Sequence, residues 1–78
     1  MKELVEYLVK SLVDQPEEVF LAEREEEDTV ILELKIAQDD LGKVIGKNGN
    51  TINAIRTVLQ AAASSHRKRA RLEVLGQE

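Results

Sequence analysis

Eight residues, Gly42 to Gly49 (GKVIGKNG), hold three of the four glycines in this 78-residue chain, with two lysines among them. Glycine inside a helix costs about 1 kcal/mol relative to alanine. Yet helical spacing surrounds this segment. Leu41, Val44 and Ile45 stand three and four apart, and Ile52, Ile55, Leu59 and Ala62 form a stripe further on. The pattern predicts two helices interrupted by a tight GKNG link. A strand hairpin turning at Asn48-Gly49 would need alternating flanks, which are not there. Asp39 and Asp40 sit where a cap for the first of these helices belongs, and Asn50 or Thr51 where a cap for the second belongs. The second helix should fade at Ser64-Ser65.

The rest of the chain changes period twice. Leu4, Val5, Leu8, Val9, Leu12 and Val13 recur at helical spacing, with Glu3, Glu6 and Lys10 on the other side. They predict an amphipathic helix over residues 2–14, stopped before Pro16. Val19-Phe20-Leu21-Ala22 is a short apolar strand candidate. In TVILELKIA, residues 29–37, Val30, Leu32, Leu34 and Ile36 alternate with Ile31, Glu33 and Lys35, the period of a strand with one buried face. Between these strands EREEED, residues 23–28, reads as a solvated strand end and turn, so the two should form an antiparallel hairpin. It has neither the spacing nor the glycine of an EF-hand loop. The tail, RKRARLEVLG, alternates again. Ala70, Leu72 and Val74 face one way; Arg67, Arg69, Arg71 and Glu73 face the other.

The predicted order is helix, strand, strand, helix, helix, strand, an α+β class. A last strand reached through two helices should lie parallel to the second strand by a right-handed crossover. Three helices then cover one face of a three-stranded mixed sheet. With no repeat or linker, residues 1–78 read as a single domain. A chain this short buries only roughly 60% of its unfolded surface, so dimerisation would add useful stability.

Net charge is −4, but the charge is divided. Residues 1–42 carry 4 basic and 13 acidic side chains; residues 43–78 carry 7 basic and 2 acidic. No acidic residue occurs from Lys43 to Leu72. Local potential governs polyanion binding, so the second half remains a candidate for it despite the net charge. There is no cysteine, which removes disulfides, thiolate chemistry and cysteine zinc sites and fits a cytoplasmic protein. No apolar run approaches the ~20 residues of a membrane span. Glu3 and Glu6 interrupt what would otherwise read as a signal peptide.

A nucleotide P-loop does not fit GKVIGKNG. Three residues separate Gly42 from Gly46 where four are required, and Asn48 follows Lys47 where a magnesium-binding hydroxyl belongs. A G-x-x-G link between helices fits better. It exposes backbone N–H groups and the positive end of the following helix, and both attract a phosphate oxygen. His66 follows the last helix, and no serine, acid or lysine makes a catalytic set with it. No cofactor or metal is expected.

V-I-G-K-N-G followed by x-x-I-x-x-I (Ile52, Ile55) resembles the core signature of a KH domain. The helix-strand-strand-helix-helix-strand order is similar to the prokaryotic, type II KH topology. The N-terminal helix, the length and the segment GKVIGKNGNTINAIRTVLQAAA resemble in particular the KhpA (YlqC-like) family of small bacterial single-KH proteins. The likeness spans essentially the whole chain.

The resemblance implies a non-enzymatic protein that holds about four unpaired RNA nucleotides in a groove. It makes Gly46, Lys47, Asn48 and Gly49 the backbone clamp. Gly42 and Lys43 line the approach, Ile45 forms part of an apolar wall, and Arg56 is within reach of a phosphate. The far wall is the last strand, with Arg67, Lys68, Arg69 and Arg71 near the ligand. The single Phe and single Tyr lie outside the motif, so base stacking on aromatics is not available. The family further implies RNA chaperoning, control of cell division and shape, and dimers with itself or with a KhpB (Jag-like) protein. A protein-interaction module with a vestigial groove is the alternative; the acidic 23–28 segment would suit basic partners, whereas an intact GKNG argues for RNA.

Overall fold

The computed structural model describes residues 1–76; Gln77 and Glu78, the end of the expected domain, lie outside the described residues. The chain runs α1 (Lys2–Lys10), β1 (Phe20–Glu26), β2 (Thr29–Ile36), α2 (Leu41–Ile45), α3 (Asn50–Ser65) and β3 (Arg69–Gly76). Short 3-10 turns precede β1, α2 and α3. The strands form one sheet in the order β1-β2-β3, with β1 antiparallel and β3 parallel to β2. The α+β class, the element order and the mixed sheet are as expected.

The period-two pattern of β2 fixes the layers. Val30, Leu32, Leu34 and Ile36 point to one face and join Val5, Val9, Val44, Ile52, Ile55, Leu59 and Leu72 in a single buried cluster. All three helices therefore pack on that face, and α3 runs along β3. The other face is open. Ile31 lies on it, where the alternation expected a solvated residue, yet it is only 4% exposed. Its cross-strand partners are Arg24 and Arg71. Long arginine stems cover an apolar neighbour while their charged ends stay in water.

Three boundaries differ from expectation. The first helix ends at Lys10, not residue 14. Ser11 turns its hydroxyl onto the Tyr7 carbonyl at 2.7 Å, and the Leu12 amide bonds Val9 in a tighter three-residue step. Leu12, beyond the helix end, is left exposed, and so is Leu4 within it. β1 extends to Glu26, because pairing with β2 satisfies the backbone while the glutamates remain solvated. The last strand begins at Arg69 rather than 67. Arg67 has φ 59°, a left-handed turn conformation incompatible with a strand.

Candidate nucleic-acid interface

The GKNG link is a turn of unusual backbone. Gly46 has φ 76° and ψ 174°, a combination that essentially only glycine adopts, and Asn48 and Gly49 follow in the left-handed region at φ 56° and 76°. Asparagine tolerates that region better than most residues. The Gly46 amide bonds the Gly42 carbonyl at 2.9 Å and closes α2; the Gly49 amide bonds the Gly46 carbonyl at 3.1 Å and closes the turn. Gly49, rather than Asn50 or Thr51, occupies the position before α3, and no side chain caps that helix. The positive end of a 16-residue helix is thus presented directly behind the turn. Lys47 and Asn48 are exposed at its tip, and Lys47 makes no ion pair among the described residues.

On α2, Gly42, Ile45 and Gly46 are i, i+3 and i+4 neighbours on the side turned away from buried Val44. Ile45 keeps 38% of its surface exposed, an apolar edge beside the turn. A Cβ added at Gly42 would meet nothing within 4 Å.

Lys43 is engaged elsewhere. Its ammonium donates to the Asp14 carboxylate and lies 3.6 Å from Asp40 Oδ1. The hydrogen bond to Asp14 foremost, and the charges of Asp14 and Asp40, raise its pKa above the usual lysine value of 10.5. Asp40, expected as a helix cap, makes no cap bond. Its side chain is 1% exposed, and its two oxygens accept the Asp14 and Gln15 amides at 3.2 and 3.1 Å. It ties the segment after α1 to the start of α2, a long-range role that local capping rules do not signal.

The far side of the groove is the edge of β3. Arg56 points its guanidinium across to the Leu72 carbonyl, at 3.2 Å from Nη2 and 3.4 Å from Nε. One helical turn on, Gln60 Oε1 accepts the Ala70 amide at 3.3 Å. Leu59, Ala70, Arg71, Leu72 and Glu73 complete the lining with Arg56. Gln60 was not foreseen in the sequence; its i+4 spacing from Arg56 was the available signal.

The other basic residues divide. The alternation of β3 puts Arg69 and Arg71 on the open face with Glu73, to which Arg71 is paired at 3.4 Å. Lys68 pairs with Glu25 of β1. Arg67 follows the C-terminal end of α3, a helix of 16 residues spanning about 24 Å, so it lies at the opposite end of that helix from GKNG. The structure thus gathers Gly42, Ile45 and Gly46–Gly49 at one place and Arg56 along the groove. It does not bring Arg67 beside the turn, and it holds Lys43 in its acidic pairing.

Residues 2–74 match the family model of the KhpA/KhpB KH domain. The chain is 52% identical over 75 residues to the RNA-binding protein KhpA of Clostridium perfringens, covering 96% of this chain and 100% of that protein. It is 51% identical over 75 residues to the protein of the same name from Chlamydia trachomatis, covering 96% of each. A third, from Borreliella burgdorferi, is 49% identical over 73 residues, covering 94% of this chain and 89% of the relative. With a turn of this geometry set between two helices on a mixed sheet, and a match that runs nearly end to end, the chain belongs to the KhpA/KhpB family of KH domains.

Proposed function

We propose that this chain is a non-enzymatic single-stranded RNA-binding protein, gripping the sugar-phosphate backbone at Gly46–Gly49 and seating bases between α2–α3 and the edge of β3. Gly42 carries the reading. Alanine there would meet no atom of the chain and would favour the helix by about 1 kcal/mol. Glycine at that place serves clearance for something outside the chain. Gly42 adjoins both the apolar edge of Ile45 and the turn. The names of the relatives, all RNA-binding proteins, support the same ligand. A cytoplasmic chaperone acting on RNA, in cell division and shape, as a dimer with itself or a KhpB-type protein, extends the proposal through the family. No helix among the described residues is long and apolar enough to cross a membrane.

The test is fluorescence anisotropy with short unstructured RNAs. Lys47→Asp combined with Asn48→Asp adds two negative charges at the turn and should weaken binding about tenfold or more while the fold persists. With two or three phosphates neutralised, log affinity should fall against log salt with a slope of about −1.4 to −2.1. A folded double variant that binds like wild type would remove the clamp. Wild type that binds no single-stranded RNA would leave the protein-interaction reading in its place.

Gly42→Ala separates clearance from folding. It should raise the urea midpoint, with a gain of up to about 1 kcal/mol, and yet weaken RNA binding several-fold. Unchanged affinity in that variant would show that no ligand approaches α2 there.

A further inference from the structure

Two side chains of α3 reach over the groove, and their contacts are of one kind. Arg56 and Gln60, four residues apart, both bond backbone groups on the outer edge of β3. The match is periodic. Four residues of α3 rise about 6 Å and two residues of β3 rise about 6.6 Å, so Arg56 meets Leu72 just as Gln60 meets Ala70. These contacts are long, from 3.2 to 3.4 Å, at or beyond the outer limit of good N–H···O bonds. Both side chains are exposed, although Leu59 and Leu72 beneath them are buried. Exposed groups in weak bonds are readily released.

The edge they cover has a definite hydrogen-bonding pattern. The Leu72 carbonyl points outward to Arg56, and in an extended strand the amide of the same residue points the same way. The same holds for Ala70, whose amide meets Gln60. The edge of β3 therefore offers donor and acceptor side by side. A nucleobase presents the same alternation along its Watson–Crick edge.

We infer that Gln60 and Arg56 are specificity-determining residues of the groove: in the free chain they occupy the edge of β3, and on binding they yield it to a nucleobase and bond that base in turn. This rests on the groove being the RNA site. A carboxamide donates and accepts, so Gln60 distinguishes bases by the order of those groups. Arg56 only donates, and favours a base with an acceptor towards α3. The turn at Gly46–Gly49 contributes affinity common to all sequences, and Gln60 contributes the difference between them. A site built to bond polar groups rejects a ligand that leaves them unpaired.

The experiment uses Gln60→Met, which keeps side-chain length and helix propensity but removes both polar atoms. Oligouridine octamers carrying one internal adenosine, cytidine or guanosine are compared by anisotropy for wild type and variant. Wild type should rank the RNAs over a range of at least threefold. Gln60→Met should compress that range below twofold and weaken the best RNA by about two- to tenfold, the loss of one hydrogen bond. A purely structural role for Gln60 would lower the urea midpoint and leave the ranking intact. An unchanged ranking in the variant overturns the inference, and so does a flat ranking in wild type. Absence of binding by wild type to every octamer overturns the RNA-groove reading itself, a result distinct from binding without discrimination.

Discussion

Alanine at Gly46 is expected to destabilise the fold by roughly 3 kcal/mol or more and to remove measurable RNA binding, whereas alanine at Gly49, three residues away, should cost only about 1 kcal/mol. A Cβ at Gly46 would stand 2.2 Å from Thr51 Oγ1, 2.7 Å from Thr51 Cβ and 2.9 Å from the Thr51 backbone nitrogen. Rotating the hydroxyl away relieves only the first of these. The backbone nitrogen belongs to the first turn of α3, so the helix start itself must move. The conformation adds a separate penalty, since φ 76° with ψ 174° is a region that side-chain-bearing residues rarely enter. At Gly49 the φ is the same, but the nearest atom is Asn53 Nδ2 at 3.7 Å, an ordinary contact. Only the left-handed strain remains there. Urea denaturation of both variants checks the difference, together with Gly46→Ala carrying Thr51→Ser, in which the backbone nitrogen still blocks the space. Equal stability of Gly46→Ala and Gly49→Ala would show that the turn relaxes freely. That outcome would also weaken the view of it as a preformed grip. For a chain of 78 residues, total stability is on the order of 4–12 kcal/mol, so the larger loss leaves a substantial unfolded or rearranged population.

The turn was legible because its constraint is local. Gly46 and Gly49 stand where the backbone needs positive φ, and the helical stripes on both sides mark the break. The parallel placement of β3 was legible for a similar reason, since two intervening helices leave a crossover as the natural connection. What escaped the sequence depends on partners distant along the chain. Ile31 follows the outward phase of β2, and its burial comes from Arg24 and Arg71, which only the register of three strands brings beside it. Arg67 shares parity with Arg69 and Arg71, but a left-handed turn removes it from the strand, and no local signal separates a basic turn from a basic strand end. Lys43 has the sequence position of a groove residue. Its neighbours at i+2 and i+3 turn toward the groove and the turn, while its own ammonium meets Asp14 and Asp40 on another side of the helix. The two lysines of GKVIGKNG therefore differ in kind. Lys47 stands at the exposed tip, and Lys43 belongs to an acidic anchor behind it.

That anchor should be a second sensitive point in the chain. Asp40→Ala is expected to cost about 2–4 kcal/mol, because it strips the acceptor from two backbone amides and removes a charge beside Lys43. The side chain is 1% exposed, and the amides it serves belong to Asp14 and Gln15, some 25 residues earlier in sequence. No local rearrangement of α2 supplies a substitute. Asp40→Asn should fall between wild type and alanine. It retains one oxygen to accept an amide, but turns a donor toward the other and loses the ionic attraction to Lys43. Asp14→Asn tests the remaining part. Asp14 is exposed, so its pairing with Lys43 is screened by solvent, and its loss should cost far less than the loss of Asp40. The pH dependence has a definite sign. A lysine pKa raised in the folded state adds stability that is complete below the unfolded value near 10.5 and disappears as pH rises through the folded value. The Lys43 contribution is therefore level across neutral pH and declines only above about 10.5, a decline that Asp14→Asn should reduce. Amide hydrogen exchange at residues 14 and 15 gives the local readout: Asp40→Ala should accelerate it beyond the change in global stability. If those amides exchange no faster than global unfolding requires, the carboxylate is not what holds the segment after α1 against α2. The position of the turn would then depend on the packing of Leu41 and Val44 before it and of Ile52 and Ile55 after it.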